Sequence, residues 1–515
     1  MMPEEMTESF REAMRRERID IDRTLTILEN YNNGLYDSVL PVEVSDIPSI
    51  DDETILDMTQ PKDRSFSLSA VETRLAEIAP EIDLSLFGTR SGDELRLTQG
   101  EMETIGILLY PYLSYGVLNG GSATSYADEK KNTKGYSDAF PILKEEFSRM
   151  AELASGRPKG LTPAFLHPDG TPGPSFLELK MRSLLLEIRR YHRVAAQYGI
   201  KPPDYLPALA PFFQMTSVFN EEEIAQTYEE YERSPYLAEL IEETGVHITK
   251  AVGAAQPMIA AYTHSEEGRP KGIFDNAWGK RDSPLGLPGG HGQNFSVLKE
   301  TYQELYSAGK RFVYLGNVDN LGFTVDPVSL ALVALTGTQA GFDFAFRTPV
   351  DIKGGILVRD QKGRLNAADI GPAISKDEVL KAEERGSDIL FNCATGLFSL
   401  DYLVPNIDNV IEELPMRFSD QDKDAGRYSQ AEQVTWEIIG MLDDFLVFGI
   451  SKYERFIAAK MLMETLFSSG SKAKKVWEIE PTAKRLHEGL NSLLEWRYWL
   501  TLKDGRWVPW KGDAE

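Results

Sequence analysis

The sequence predicts an α/β fold with a largely parallel central sheet. From Thr104 to Asn409, short apolar runs rich in strand-forming residues alternate with segments of helical period. Several of these runs end in turns of Gly, Asn and Asp. Alternating strands and helices form parallel strand pairs covered by helices. Since 515 residues exceed one ordinary domain, we expect one large domain with appended pieces.

The composition is that of an acidic globular protein. Hydrophobic residues make up 42% of the chain, and the net charge is −25 at pH 7. A nucleic acid or an anionic membrane would need a basic face, so we expect neither as a partner. No apolar run approaches the ~20 residues of a membrane-spanning helix, and the charged N-terminus lacks a signal-peptide core. The single cysteine, Cys393, excludes an internal disulfide. We therefore predict a cytoplasmic protein.

Changes of pattern divide the chain into three parts. Residues 1–103 are predicted to be a helical, acidic extension, in which the Pro- and Asp-rich run from Asp37 to Asp63 is a connection. Residues 104–410 form the α/β core, and residues 411–515 form a small, mostly helical C-terminal domain. We predict helix from Gln433 to Phe448 and a helix-like run from Arg455 to Lys460.

The first strand of the core leads into a glycine-rich turn, Leu118-Asn119-Gly120-Gly121. Glycines let backbone N–H groups approach phosphate oxygens without obstruction by side chains. Many sheet proteins need such a turn for geometry alone, so phosphate binding and a plain turn both remain open. The charged segment that follows, Ala127 to Ser155, is predicted to be a surface insertion.

A lysine flanked by proline and glycine follows this insertion. In Gly-Arg-Pro-Lys159-Gly, Pro158 and Gly160 restrict the backbone on either side of one ammonium group. The same pentapeptide recurs around Lys271, so the local pattern alone does not separate a functional lysine from a structural one. The position of each lysine relative to the glycine-rich turn must decide which of the two is functional.

A second glycine-rich turn carries a histidine at the start of a helix. After a helix at Phe176 to Ala196 and strands near residues 211–217 and 246–249, Gln256 lies beside a turn. Gly290 and His291 then precede an amphipathic helix. The free N–H groups of a helix N-terminus favour an anion. A lone histidine is more often structural.

The strand Phe312 to Leu315 delivers two polar residues to its tip. Asn317 and Asp319 follow it in the turn Gly-Asn-Val-Asp. Ligands of open parallel sheets bind at the carboxyl ends of strands, where a carboxylate and an amide suit Mg²⁺ and a hydroxyl. An Asx turn without a ligand is the alternative. Further strands are predicted at Phe342 to Thr348, in a hairpin beginning at Lys353, and at Asp388 to Gly396.

Six motifs in this order resemble the UTP:sugar-1-phosphate uridylyltransferase family, and UTP–glucose-1-phosphate uridylyltransferases in particular. They are LNGG at 118–121, RPKG at 157–160, PGGHG at 288–292, NVDNLG at 317–322, DIKGG at 351–355 and FN at 391–392. The resemblance covers roughly residues 105–465. It implies a Rossmann-like, glycosyltransferase-A type nucleotidyltransferase core that binds UTP and a sugar-1-phosphate, with Mg²⁺ as cofactor.

The resemblance also implies roles for individual residues. The implied nucleotide-binding residues are Leu118, Asn119, Gly120, Gly121, Gln256, Gly290 and His291. The implied catalytic cations are Lys159 and Lys460, the sugar-phosphate side comprises Asn317, Lys353, Gly354, Asn392 and Thr395, and the metal ligand is Asp319. Lysines, N–H-rich turns and a metal-binding carboxylate suffice for phosphoryl transfer, which depends on positioning and charge neutralisation. Lys271 has no counterpart and is predicted to be structural.

The chain departs from the family pattern in three places. Ser122-Ala123-Thr124-Ser125-Tyr126 replaces a glycine-containing continuation of the first loop, and Ala123 tolerates positive φ badly. The insertion separates this loop from Lys159, and Ala394-Thr395 replaces an asparagine pair at the sugar.

These departures leave several functions open. We expect UDP-glucose formation first. An N-acetylhexosamine-1-phosphate or broad-specificity enzyme is the alternative, and a catalytically weak nucleotide-sugar binding protein is the alternative of a different class. An NAD enzyme is disfavoured because no G-x-G-x-x-G follows a strand. We expect a monomer or small homo-oligomer.

Overall fold

The structure is a computed structural model that describes residues 1–39, 41–201, 212–247, 251–348, 351 and 354–511. The helices are α1 (Glu8–Arg16), α2 (Ile21–Asn32), α3 (Leu68–Ile78), α4 (Gln99–Leu108), α5 (Glu129–Gly135), α6 (Phe140–Ala154), α7 (Phe176–Gln197), α8 (Glu221–Tyr231), α9 (Ala238–Thr244), α10 (Asn294–Val297), α11 (Lys299–Ser307), α12 (Pro327–Thr336), α13 (Lys376–Glu384), α14 (Leu400–Glu413), α15 (Lys452–Arg455), α16 (Leu462–Ser468), α17 (Ala473–Ile479) and α18 (Thr482–Trp496). None of the helices within these ranges is long and apolar enough to cross a bilayer.

The strands of the described residues form one large sheet and several small ones. They are β1 (Val44–Asp46), β2 (Ile55–Asp57), β3 (Arg64–Ser67), β4 (Thr89–Ser91), β5 (Glu94–Leu97), β6 (Leu113–Leu118), β7 (Phe212–Ser217), β8 (Val252–Gln256), β9 (Met258–Ala260), β10 (Tyr262–Thr263), β11 (Gly286–Pro288), β12 (Phe312–Asn317), β13 (Ala340–Phe346), β14 (Gly355–Asp360), β15 (Leu365–Asp369), β16 (Leu390–Ser399), β17 (Met416–Lys423), β18 (Gly426–Gln433), β19 (Phe445–Ile450), β20 (Leu500–Lys503) and β21 (Arg506–Pro509).

The large sheet has the strand order β2-β19-β13-β16-β12-β6-β7-β8. Every neighbouring pair in this order is parallel except the two pairs made by β16, which runs antiparallel to β13 and β12. β14 pairs with β16 and carries β15 and β1 at the side. The predicted mixed, largely parallel α/β sheet is confirmed.

Both faces of the sheet are buried, which explains the nearly continuous apolar runs of its strands. In β12, Phe312 and Tyr314 contact one hydrophobic cluster, whereas Val313 and Leu315 contact the other. The first cluster includes residues of α4, α7 and α12, and the second includes residues of α11 and α14. The sheet therefore lies between two layers of helices.

The carboxyl ends of β12, β6, β7 and β8 meet at one edge. Asn317 is paired with Leu118, Leu118 with Met215, and Ser217 with Gln256. Parallel strands in this register bring the turns that follow them side by side. The glycine-rich turn, Gln256 and the turn at 317–322 are thereby brought together although they are far apart in sequence.

Most predicted core elements are present with small shifts in their bounds. The helix predicted at Phe176 to Ala196 is α7, the hairpin is β14 and β15, and the strand predicted at Asp388 to Gly396 is β16. The apolar run from Thr104 begins as α4 and becomes a strand only at Leu113. Of the two remaining strand predictions, Phe212–Ser217 forms β7, whereas residues 246–247 form no strand and residues 248–249 lie outside the described residues.

The flanking parts contain more strand than the sequence predicts. The predicted helical extension has helices α1 to α3, but its connection from Asp37 to Asp63 contributes β1 and β2 to the large sheet. The helix predicted from Gln433 to Phe448 is wrong. A short 3₁₀ helix at Thr435–Met441 precedes β19, whose apolar residues are buried between β13 and β2. The residues of β19 have a spacing that predicts a helix, but pairing with neighbouring strands makes them a strand, as tertiary context often does.

Two buried cations hold the turn that follows β12. The Lys180 ammonium, fully buried on α7, donates to the carbonyl oxygens of Asn320 and, at 2.6 Å, of Phe323. The Arg455 guanidinium donates to Asp326 at 2.6 Å and to Asp343 at 2.9 Å. Burial lowers the pKa of Lys180 well below its ordinary value. The turn thus supplies the acceptors that these desolvated groups require.

The segment that follows Arg455 is not the predicted helix. After α15 it runs beside the turn, where Leu321 N donates to Ile457 O at 2.8 Å and Ala459 N donates to Asp319 O at 3.4 Å. The turn uses its backbone groups to bind this segment, and a helix would have used those groups internally. Lys460 is thereby brought next to Asp319.

Replacing Arg455 by methionine tests how much the fold depends on this buried network. Arg455→Met leaves Asp326 and Asp343 buried without their cation, so we expect the free energy of unfolding to fall by about 3–5 kcal/mol. Urea-induced unfolding measures it. Arg96→Met is the matched control, because Arg96 pairs with Asp63 at the surface and is 65% exposed. Its expected loss is below about 1 kcal/mol, and equal losses in the two variants would contradict this account.

Candidate active site

A cleft of about 460 Å³ opens at the carboxyl edge of the sheet. The predicted residues that line it are Leu118, Gly120, Gly121, Lys159, Gln256, Gly290, His291, Asn317, Asp319 and Lys460. Asn119 lies directly behind, fully buried, with its Oδ1 without a hydrogen-bond partner. Six segments that are distant in sequence therefore converge on one site.

The glycine-rich turn and the Lys159 loop are paired through their backbones. Lys159 N donates to Gly121 O at 3.1 Å, and Ala123 N donates to Arg157 O at 3.0 Å. A Cβ on Gly160 would lie 2.3 Å from Asn119 Oδ1, so only glycine allows this approach. The insertion separates the two loops in sequence but not in space. Ala123 is not among the residues with positive φ, so the strain expected there does not arise.

Lys159 is held by three groups. Its ammonium is ion-paired with Asp319, donates to Ala459 O at 2.5 Å, and lies 5.0 Å from the centre of the Tyr126 ring. The Lys159 and Asp319 side chains are only 15% and 16% exposed. The predicted catalytic lysine and the predicted metal ligand are therefore in direct contact at the floor of the cleft.

The donors around Asp319 fit a Mg²⁺ ion that is shared with substrate phosphates. Among the described residues that line the cleft, Asp319 is the only carboxylate. No cluster of three or more His, Cys, Asp or Glu suited to a metal occurs within the described ranges. Mg²⁺ in phosphoryl-transfer sites is commonly held by one or two carboxylates, with water and phosphate oxygens as the other ligands. One carboxylate beside a phosphate-sized cleft matches that donor set.

Gln256 connects the end of β8 to the second glycine-rich turn. Its side-chain Nε2 donates to Gly290 O at 2.7 Å and to Gln293 Oε1 at 2.8 Å. Its Oε1 faces Gly120, whose Cβ, if present, would be 3.1 Å away. Gly290 has a φ of 81°, and a Cβ there would lie 2.3 Å from Gln433 O. Gln256 and Gly290 thus shape the same end of the cleft.

His291 is a neutral hydrogen-bond donor at this end. Its Nδ1 accepts from the backbone N–H of Thr435 at 3.1 Å, so the ring proton is on Nε2. Burial lowers the pKa of His291 to about 4. Thr435 Oγ1 lies 2.9 Å from both His291 O and Asn294 Nδ2, which ties this turn to the 3₁₀ helix at Thr435–Met441 and to α10.

Lys460 lies in the cleft as an exposed side chain. Its backbone N–H donates to Glu464 Oε2 at 2.7 Å at the start of α16. Its ammonium forms no ion pair with the described residues. Lys460 thus lies in the cleft although the predicted helix does not form, and its place on the phosphate side stays a prediction.

Of the predicted sugar-side residues, Asn317 lines the cleft, whereas Gly354, Asn392 and Thr395 do not. Thr395 is paired with Gly316, one residue before Asn317, and is 1% exposed. Asn392 Oδ1 accepts from the N–H of Ala394, which has a φ of 51° in an irregular part of β16. Gly354 has a φ of 127° and lies immediately before β14. Lys353 lies outside the described residues.

The second Arg-Pro-Lys-Gly copy is structural. The Lys271 ammonium is buried and donates to Thr263 O at 2.7 Å and to Ser429 Oγ at 2.9 Å. Lys271 is not among the residues that line the cleft. The prediction that separates it from Lys159 therefore agrees with the structure.

Several residues that line the cleft were not predicted from the sequence, and Tyr126 and Lys131 are the two that bear on its charge. Tyr126 is buried beneath Lys159, and its hydroxyl lies 2.7 Å from Thr465 Oγ1. Lys131 lines the cleft from α5 within the insertion. Their closeness to the glycine-rich turn in sequence was a usable indication, but the charged pattern of the segment favoured a solvated surface.

A family model matches part of this chain. Residues 276–482 match the model described as UTP–glucose-1-phosphate uridylyltransferase. A probable UTP–glucose-1-phosphate uridylyltransferase of Schizosaccharomyces pombe is 38% identical over 80 residues, which are 15% of this chain and 16% of that relative. The resemblance to the UTP:sugar-1-phosphate uridylyltransferase family is confirmed. The curated match spans about one sixth of the relative's length.

Solved uridylyltransferase structures confirm the fold over nearly the whole chain. The uridine diphosphate N-acetylglucosamine pyrophosphorylase of Trypanosoma brucei is similar with a TM-score of 0.58 and 15% identity, covering 95% of this chain and 86% of that one. A mutant UDP-glucose pyrophosphorylase of Leishmania major gives a TM-score of 0.52 at 15% identity, covering 98% and 82%. At this identity the likeness concerns the fold.

The buried neutral state of His291 predicts a pH dependence of stability. With a pKa of about 4 in the folded protein and ~6.5 in the unfolded chain, the unfolded chain binds more protons between these values. The free energy of unfolding should therefore fall as the pH falls from 6.5 to 4, by up to about 3 kcal/mol from this residue. Urea unfolding over that range should show a flatter profile for His291→Gln.

His247→Gln is the matched control for this profile. The His247 side chain is 57% exposed, so its ring is already largely solvated in the folded protein and gains little water on unfolding. We expect the His247→Gln profile to match that of the unmodified protein. If the unfolding free energy of His291→Gln depends on pH as steeply as that of the control, the pH dependence does not come from the protonation of His291.

Proposed function

We propose that this protein is a Mg²⁺-dependent UTP:hexose-1-phosphate uridylyltransferase, which forms UDP-glucose and pyrophosphate from UTP and glucose-1-phosphate. The observation that carries the proposal is the convergence of four of the six family motifs on one cleft, whose described lining residues include three lysines and one carboxylate. The part of the chain that matches the family model includes the second glycine-rich turn, Asn317, Asp319 and Lys460. The first glycine-rich turn and Lys159 join them through the fold.

The proposed nucleotide site lies at the Gln256 end of the cleft. Gln256 Oε1 and the backbone around Gly290 offer hydrogen-bonding groups to a uracil, while Gly120 and Gly121 leave room for phosphates beside their backbone. A Cβ at Gly121 would meet no atom within 4 Å, so its peptide faces open space. The neutral Nε2–H of His291 would donate without adding charge.

The proposed reaction is an in-line displacement at the α-phosphorus of UTP. An oxygen of the sugar phosphate attacks, the bond to the β-phosphate oxygen breaks, and pyrophosphate leaves with the negative charge. Lys159 and Lys460 would stabilise the charge that grows on the phosphoryl and leaving oxygens. Asp319 would hold Mg²⁺, which when bound supplies neutralisation of phosphate charge. The described cleft contains no nucleophilic triad, and this chemistry requires none.

An N-acetylhexosamine-1-phosphate is the second candidate for the sugar substrate. The irregular part of β16 beside Asn317 has Ala394 and Thr395, which are short side chains. Short side chains at this border leave space for a substituent on the sugar. A broad-specificity enzyme would follow from the same feature.

The first experiment measures pyrophosphate release from UTP and Mg²⁺ with a panel of sugar-1-phosphates. We expect release with UTP and glucose-1-phosphate, and little with the other nucleoside triphosphates. Stronger release with N-acetylglucosamine-1-phosphate would favour the second candidate. Binding of UTP without release for any sugar would overturn the enzyme assignment in favour of a nucleotide-sugar binding protein.

Lys159→Ala shows whether the release comes from this cleft. Removing one transition-state contact should lower kcat by about 10²–10³-fold while the circular dichroism spectrum stays that of the folded protein. Lys280→Ala is the control, because Lys280 is an exposed lysine outside the cleft.

Asp319→Asn tests the proposed metal ligand. The amide keeps the size of the side chain but removes its charge, so the Mg²⁺ concentration for half-maximal rate should rise by on the order of tenfold or more. Magnesium titrations at saturating UTP measure it. Asp408→Asn removes the same charge at a carboxylate that is 78% exposed and pairs with Lys299. An unchanged titration for Asp319→Asn would leave the turn with a structural role alone.

We also propose a cellular location, partners and an oligomeric state for this protein. The single cysteine, Cys393, is buried as a free thiol, which suits a reducing compartment such as the cytoplasm. UTP and a sugar-1-phosphate are the proposed small-molecule partners. The net charge of −25 disfavours nucleic acid and anionic membranes as partners. We propose a monomer or small homo-oligomer.

A further inference from the structure

The insertion between the first two motifs contributes a lysine to the cleft. Lys131 lies on α5 and lines the same cleft as Lys159 and Lys460. Its ammonium donates to Ser125 Oγ at 2.9 Å, at the end of the glycine-rich loop. Because a lysine ammonium has three N–H donors, two remain for a ligand. No carboxylate of the described residues lies within ion-pair distance of it.

The backbone of α5 is firmly attached beside the loop. Asn132, which is fully buried, donates through Nδ2 to Tyr126 O at 2.9 Å and accepts at Oδ1 from Met463 N at 3.0 Å. The Asp128 side chain accepts from Lys131 N at 2.6 Å at the start of the helix. Lys131 therefore starts from a fixed backbone position, and its side chain is the adjustable part.

The position of Lys131 along the cleft indicates which phosphates it reaches. Gln256 contacts the Gly120 end of the glycine-rich loop, whereas Ser125 and Tyr126 end the loop beside Lys159. If the base lies at the Gln256 end, the phosphate chain follows the loop toward Ser125. The terminal phosphates then come nearest to Lys131.

We propose that Lys131 binds the leaving group, that is, the β- and γ-phosphates of UTP and the pyrophosphate released from them. This inference rests on the proposed function. Lys131 stays protonated and forms no covalent bond. Its role is to balance the negative charge that the leaving pyrophosphate acquires, in a protein whose net charge is −25. The insertion is then part of the active site.

The test compares two alanine variants in the reverse reaction, from UDP-glucose and pyrophosphate. Lys131→Ala should raise the KM for pyrophosphate about 10- to 100-fold, as expected for one charged hydrogen bond, and change the KM for UDP-glucose less than about twofold. Lys130→Ala is the matched control, since it removes the same charge from the same helix at an exposed lysine outside the cleft. Its KM values should stay near those of the unmodified protein. Lys131→Arg should restore part of the pyrophosphate affinity.

The outcomes separate this inference from the proposed function. If the unmodified protein is active and both alanine variants behave alike, the inference is wrong and only overall charge matters. If the unmodified protein releases no pyrophosphate with any sugar-1-phosphate, the proposed function fails. Calorimetric titration of the full-length protein with inorganic pyrophosphate then decides: binding that weakens about tenfold or more in Lys131→Ala alone supports the inference. No binding, or equal binding by both variants, overturns it.

Discussion

The turn at residues 317–326 depends on two basic side chains, Lys180, which is fully buried, and Arg455, which is only 12% exposed. Lys180 and Arg455 lie beneath it, and their charges are compensated by turn carbonyls and by Asp326 and Asp343. A buried charge without partners costs several kcal/mol, so conformations of the turn that withdraw these acceptors are strongly penalised. The same turn binds the segment from residue 456 to 460 through backbone hydrogen bonds, so both walls of the cleft depend on this network.

Charge is distributed unevenly between the cleft and the rest of the molecule. The protein carries a net charge of −25, yet the charged residues that line the cleft, within the described part of the chain, are three lysines and one aspartate. Solvent screens exposed charges beyond ~10 Å at moderate ionic strength, so an anion that enters the cleft is affected mainly by these local groups. The lysines therefore supply a local attraction for anions on an otherwise acidic protein.

The Gln256 end of the cleft is built from neutral groups. Gln256 is tied to the Gly290 carbonyl, and His291 is tied to the 3₁₀ helix at Thr435–Met441, by hydrogen bonds between elements that are distant in sequence. Neutral donors and acceptors at one end and cations at the other match a ligand with an uncharged base and a charged phosphate chain. Gly290, with positive φ and no room for a Cβ, lets the backbone itself form part of this surface.

The amino-acid sequence by itself determined the α/β core, because strands buried on both faces are continuous apolar runs. It also determined the motif segments, because turns that bind phosphate or a metal need glycines and specific polar residues. Only the tertiary structure decided the rest. Strand register brought Gln256 beside Gly120, and backbone pairing returned Lys159 to the glycine-rich loop across the insertion. β2 and β19 joined the central sheet from the flanking parts because a partner strand was available there. Lys131 entered the cleft because α5 is anchored through Asn132. These outcomes depend on contacts between distant residues, which no local pattern contains.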